Sequence, residues 1–160
     1  MVAPQSTLWD LEAHSAAKHE ILRRYLAAWI PILSHGNFDE ILYLDAFAGP
    51  GHYATGEDGS PIISLKELSG HGTKIAAKAH FHFVEFDPDR ADFLEALVAD
   101  LVGQLERERP GKTKATVHRN AFEEAYPSIK QNFRYGRLPA TFAFIDAFGW
   151  TGLESQTLDC

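Results

Sequence analysis

Apolar positions along this chain follow two rhythms. In Leu22, Tyr25, Leu26, Trp29 and Leu33 they recur at three- and four-residue steps, which predicts an amphipathic helix over 15–30. Pro31 is expected to kink or stop it, and Ser34-His35-Gly36-Asn37 to end it. Leu94, Leu97, Val98, Leu101, Val102 and Leu105 keep the same spacing over three turns and predict the clearest helix, opened by Asp87 as cap and Pro88 in the first turn. A shorter helix is predicted from Ser60-Pro61 through Leu68, closed by Gly70-His71-Gly72. Another spans 122–133, with Pro127 blurring its boundary. Between the helices, short apolar runs predict strands at 41–46, 80–86, 115–118 and 141–146.

The first strand breaks in a distinctive place. Ile41-Leu-Tyr-Leu-Asp-Ala-Phe-Ala-Gly-Pro-Gly51 runs from buried strand through an acid into a turn that favours glycine. Such a turn presents bare backbone N–H groups to a small ligand. A carboxylate just before it would repel a pyrophosphate but suits an ammonium or a hydroxyl. Asp45-Ala-Phe-Ala-Gly-Pro-Gly51 therefore resembles the first motif of S-adenosylmethionine-dependent methyltransferases. A nicotinamide fingerprint fits less well, because Ala54 stands where its third glycine is required.

Alternating helices and strands call for a parallel sheet with right-handed crossovers. The expected fold is a Rossmann-like α/β three-layer sandwich, with strand order 3-2-1-4 in its methyltransferase-like version. Residues 1–38 would form a helical segment packing on the sheet, and 39–160 a partial Rossmann-like domain. Strands 1 and 4 would then be neighbours at a switch point, where ligands bind beyond the strand ends. Asp45 and Asp146 should meet there, with Glu85 on the other side of strand 1. A run as apolar as Thr141-Phe-Ala-Phe-Ile145 is expected to have a neighbour on each side. Only fourteen residues follow Asp146, so a further segment of the protein's own chain or a partner is expected to cover that edge.

Four stretches resemble a named family, the three-Cys-motif partner proteins (TcmP). They are Lys18-His-Glu-Ile-Leu-Arg-Arg-Tyr-Leu-Ala-Ala-Trp29, Tyr43-Leu-Asp-Ala-Phe-Ala-Gly-Pro-Gly51, Gly59-Ser-Pro61 and Phe144-Ile-Asp-Ala-Phe-Gly-Trp150. The resemblance implies a methyltransferase-like protein that binds S-adenosylmethionine and partners a three-cysteine protein of radical-SAM type. It also implies a mobile-element or defence setting, with nucleic acid as a candidate substrate or partner. The family usually carries Asp-Pro-Phe-Gly in the fourth stretch. Here Ala147 replaces the proline, so a stiff turn is lost and a non-catalytic partner role becomes the alternative.

In the methyltransferase reading Asp45, Phe47, Gly49 and Gly51 face the methionine part of the cofactor. Glu85 accepts the ribose hydroxyls, and Asn120 lies near the adenine amine. Asp146 stands nearest the transferred methyl, where it orients a substrate amine or takes its proton. Phe86 and Phe122 are candidates to stack on adenine. Each has a plainer alternative: a strand-to-helix turn for the glycines, a capping acid for Glu85, a turn residue for Asn120, and core for the two phenylalanines.

Composition narrows the remaining classes. A hydrophobic content of 45% in 160 residues argues for one folded domain rather than disorder. A net charge of −7 leaves no overall basic footprint for nucleic acid. The only cysteine is Cys160, so no disulfide forms within the chain and a reducing cytoplasm is the expected location. The first residues carry no apolar signal core and no run approaches membrane-spanning length, so no membrane association is expected. His80 and His82 share a strand face and are read as packing or edge residues. Arg23 and Arg24 are read as solvated. So is the cluster Arg107, Arg109, Lys112 and Lys114, diluted by Glu106 and Glu108.

Overall fold

A computed structural model describes residues 7–36, 38–70 and 75–146. Its elements are α1 (Ala13–His35), β1 (Glu40–Asp45), α2 (Ser60–Gly70), β2 (Lys78–Val84), α3 (Pro88–Glu108), β3 (Thr113–His118), α4 (Phe122–Gln131) and β4 (Ala140–Phe144), with a 3-10 turn at Arg134–Gly136. The four strands are parallel, in the order β3-β2-β1-β4. This is the expected α/β arrangement, consistent with a Rossmann-like fold.

The alternation of β1 builds the three layers. Ile41 and Tyr43 face a core shared with Leu22, Leu26, Ile30 and Leu33 of α1, Ile62 and Leu65 of α2, and Leu94 and Leu105 of α3. Leu42 and Leu44 face the opposite core, made with Phe122, Ala125 and Ile129 of α4. Both faces of β1 are therefore dry, as a central parallel strand requires. Each fully buried Leu or Ile contributes about 1.5–3 kcal/mol of transfer free energy.

The boundaries differ from the periodicity in instructive ways. Pro31 does not stop α1, which runs on to His35 with the proline inside it. Leu33, two residues on, is buried in the core, and that burial offsets the lost backbone bond. Pro127 is likewise accommodated inside α4, in its second turn. β2 and β3 begin earlier than their apolar runs, because Lys78 pairs with Glu40 and Thr113 with Ala79 in the sheet register. The cap of α3 is as expected: the Asp87 side chain accepts the Arg90 N–H at 3.0 Å, with Pro88 following.

Arg109 corrects the reading of a solvated basic cluster. Its guanidinium donates to the carbonyls of Ile75 and Ala77, each at 3.0 Å, and to Thr113 Oγ1 at 3.3 Å. It ties the end of α3 to the segment entering β2. The Lys112 ammonium also binds the Ala76 carbonyl at 3.0 Å. Arg107 and Lys114 are exposed, as expected.

Among the described residues β4 pairs only with β1. One face of β4 is covered by α1, where Tyr25 stacks on Phe142 with ring centroids 4.9 Å apart. The other face carries Thr141, Ala143 and Ile145 and opens into an apolar groove of about 560 Å³ towards α4. The expected turns at Asn37, His71-Gly72 and Ala147, and the lone Cys160, lie outside the described residues. No helix among the described residues is long and apolar enough to cross a membrane.

Candidate functional site at the β1–β4 switch point

The site begins where β1 stops. Beyond Asp45 the chain stays registered with both neighbouring strands: the Ala46 N–H reaches the Phe144 carbonyl at 3.0 Å and the Ala48 N–H reaches Val84 at 2.9 Å. It then turns through Gly49 at φ +64° and Gly51 at φ +84°, both in the left-handed region that favours glycine. A Cβ on Gly51 would stand 2.8 Å from Leu94 Cδ1 and 3.3 Å from Ile62. That glycine lets α2 and α3 close on the turn, while its backbone lines the cavity beside it. Among the described residues a Cβ on Gly49 would meet only the Trp9 ring, at 3.8 Å. The loop after the turn folds back on itself, with the Gly59 N–H on the Gly51 carbonyl at 2.7 Å, and α2 starts there.

The three expected acids surround this turn at different depths. Asp45 is fully buried; Oδ1 accepts the Phe47 N–H at 3.3 Å. Burial pushes its pKa up to about 7, with Ser60 and the Phe47 amide pulling the other way. The Tyr43 hydroxyl approaches it, but neither that hydroxyl nor Asp45 Oδ2 reaches hydrogen-bond geometry with any partner among the described residues. Glu85 is half-buried beyond β2. Its Oε2 accepts the Gly49 N–H at 2.9 Å and its Oε1 the Asp87 N–H at 2.8 Å, so it clamps the glycine turn to the head of α3. Burial raises its pKa despite these two bonds. Asp146 lies two residues past β4 and binds the Lys18 ammonium at 2.5 Å.

A small cavity of about 90 Å³ lies between these elements. Phe47, Gly49, Gly51, Phe144 and Asp146 line one side of it. The other side comes from the N-terminal region: Trp9 and, on α1, His14, Ser15, Lys18 and His19. His19 is only 8% exposed, and its Nδ1 has no hydrogen-bond partner among the described residues. Burial lowers its pKa, with Asp146 opposing. Trp9 crosses the glycine turn with its carbonyl on the Ala54 N–H at 2.9 Å and the Arg90 guanidinium over its ring at 4.9 Å.

Phe47, Gly49, Gly51 and Asp146 thus converge on one cavity, with Asp45 buried close behind. Glu85 joins through Gly49 but does not line the cavity. Asn120 does not join: it is exposed, and its amide binds Glu124 Oε2 at 3.4 Å. Phe86 is 75% exposed and Phe122 is core, against Phe47 and Tyr126. His80 and His82 pack against Phe133. The sequence reading missed His118, whose Nε2 lies 2.7 Å from His82 Nδ1, because the two stand on different strands. It also missed the contribution of α1 to the cavity. Five residues apart, His14 and His19 read from the sequence as not sharing a helix face; both line the cavity, and the four-residue steps His14–Lys18 and Ser15–His19 were the signal.

Tested for fit, the residues present suit the amino-acid end of S-adenosylmethionine. An orphaned buried imidazole nitrogen and opposite charges stand at one small cavity. They suit the nucleoside end less well as arranged, because 90 Å³ lies far below the ~300–1,000 Å³ of small-molecule sites and both Glu85 oxygens hold backbone amides. No family model matches the chain, and no curated protein or solved structure matches it either.

Proposed function

We propose that this chain is a methyltransferase-like domain of the three-Cys-motif partner kind that binds S-adenosylmethionine at the β1–β4 switch point. The single observation that carries the reading is the arrangement of Asp45, Glu85 and Asp146 around one glycine turn at the C-terminal ends of adjacent parallel strands. The bound cofactor would supply an activated methyl group on a sulfonium. Asp45 would support the turn from below, Glu85 would hold the Gly49 amide in place, and Asp146 would face the ligand from the cavity wall. The substrate class, nucleic acid included, rests on the family resemblance alone.

The alternative is a non-catalytic partner of a three-cysteine radical-SAM-like protein. Two observations favour it: the cavity is too small for a whole nucleoside, and the Lys18–Asp146 pair spans it. Calorimetric titration of the 160-residue protein with S-adenosylmethionine and S-adenosylhomocysteine tests the main reading. Binding of either supports it, and no heat with both would end it.

A further inference from the structure

We infer that Trp9 is a built-in plug: its indole stands where the nucleoside of a ligand bound at the β1–β4 switch point must extend, and residues 7–12 form an autoinhibitory strap. Its biological sense rests on the cofactor reading, and it gives that site a means of controlling access.

Three features lead there. The first is position. The Trp9 ring reaches from the turn after β1 to the head of α3: Cη2 lies 3.8 Å from the place of a Cβ on Gly49, and the Arg90 guanidinium lies 4.9 Å over the ring. Gly49 is also the residue whose N–H Glu85 holds, so the ring stands at the junction of the β1 and β2 ends. A ligand bound beyond the ends of parallel strands runs across such a junction.

The second feature is shape. An indole and a purine are fused bicycles of similar outline, and both stack on a guanidinium. Trp9 forms part of the wall of the 90 Å³ cavity. Withdrawing it joins a purine-sized space to that cavity and leaves Arg90 to stack on the purine instead.

The third feature is the way the strap is held. Residues 7–12 belong to no helix or strand, and Glu12 starts α1 without a side-chain cap bond. The Trp9 carbonyl accepts the Ala54 N–H at 2.9 Å, and its ring meets Tyr53 edge-on, with centroids 5.9 Å apart. Both contacts are to the loop between Gly51 and Gly59 rather than to the sheet, so the strap can lift without opening the core. Segments held in this way open at low cost. A strap closed roughly nine-tenths of the time lowers the apparent affinity about tenfold.

Calorimetric titration with S-adenosylhomocysteine and methylthioadenosine compares the intact wild-type protein with Trp9→Phe and Trp9→Ala, after thermal melts show which variants fold. The expected result is binding of both ligands that is tighter by about tenfold in Trp9→Ala, with Trp9→Phe between. Free indole is expected to compete with methylthioadenosine in Trp9→Ala and not in the wild type. Trp9→Phe, which keeps a ring beside Arg90, carries the comparison should Trp9→Ala unfold. S-adenosylhomocysteine bound equally by all folded proteins overturns the strap and leaves the cofactor reading standing. Binding that weakens in the variants also overturns the strap, and makes the indole a wall of the site. Absence of heat with either ligand in every folded protein overturns both the strap and the cofactor reading.

Discussion

The carboxylate of Glu85 accepts the Gly49 N–H at 2.9 Å, joining the end of β2 to the glycine turn after β1. Its other oxygen holds the Asp87 N–H at the head of α3. One side chain therefore fixes the relative position of two backbone segments that border the cavity. Glu85→Ala leaves two partly buried amides unpaired and is expected to cost about 1–3 kcal/mol per group, less whatever water recovers. Glu85→Gln keeps one acceptor oxygen and should cost less. Urea denaturation of the three proteins checks the order; an alanine variant as stable as the wild type would sink the clamp.

The two glycines of the turn should differ in their tolerance of a methyl group. Gly49→Ala meets little besides the Trp9 ring and bears mainly the left-handed backbone cost of about 1–2 kcal/mol. Gly51→Ala adds a 2.8 Å clash with Leu94, worth a further ~1–3 kcal/mol of overpacking. Denaturant midpoints should therefore fall further for Gly51→Ala. Equal loss in both would mean that the turn relaxes freely away from α3.

Two buried groups push the pH dependence of stability in opposite directions. Asp45 has a folded pKa raised to about 7 from 3.8, so its stabilising contribution is full below 3.8 and is lost as pH rises through about 7. His82 has a folded pKa lowered to about 4 from 6.5, chiefly by burial and then by His118. Its contribution is present above 6.5 and is lost as pH falls through about 4. The two partly cancel in the wild type. Asp45→Asn should shift the slope of stability against pH upward between about 4 and 7, by up to about 1.4 kcal/mol per pH unit relative to the wild type. His82→Phe should leave stability that rises less steeply with pH than in the wild type over the same window. Urea melts at intervals from pH 4 to 8 measure both slopes; parallel profiles for all three proteins would refute the assignment.

Arg109 and Arg107 stand two residues apart and should behave differently. Arg109→Met removes three hydrogen bonds and strands the carbonyls of Ile75 and Ala77, with an expected loss of about 2–3 kcal/mol. Arg107→Met changes an exposed side chain and should stay within about 0.5 kcal/mol. Thermal unfolding of the pair separates a structural clamp from a solvated charge.

The chain by itself determined the layers and the site's backbone. Periods of 3.6 and 2 dictate which faces are apolar, and an alternating order of helices and strands permits few sheet topologies. The convergence of Asp45, Gly49, Gly51 and Asp146 follows from that topology, because strand ends are where a parallel sheet leaves backbone uncovered. What only the tertiary structure decided involves long side chains and residues far apart in sequence. No spacing rule links Lys18 to Asp146, His82 to His118, or Arg109 to Ile75. No local pattern says that Gly51 faces Leu94 or that Asn120 points to solvent. Periodicity acts within one element, whereas these contacts depend on how separate elements dock, and docking is set by the summed packing of the whole core.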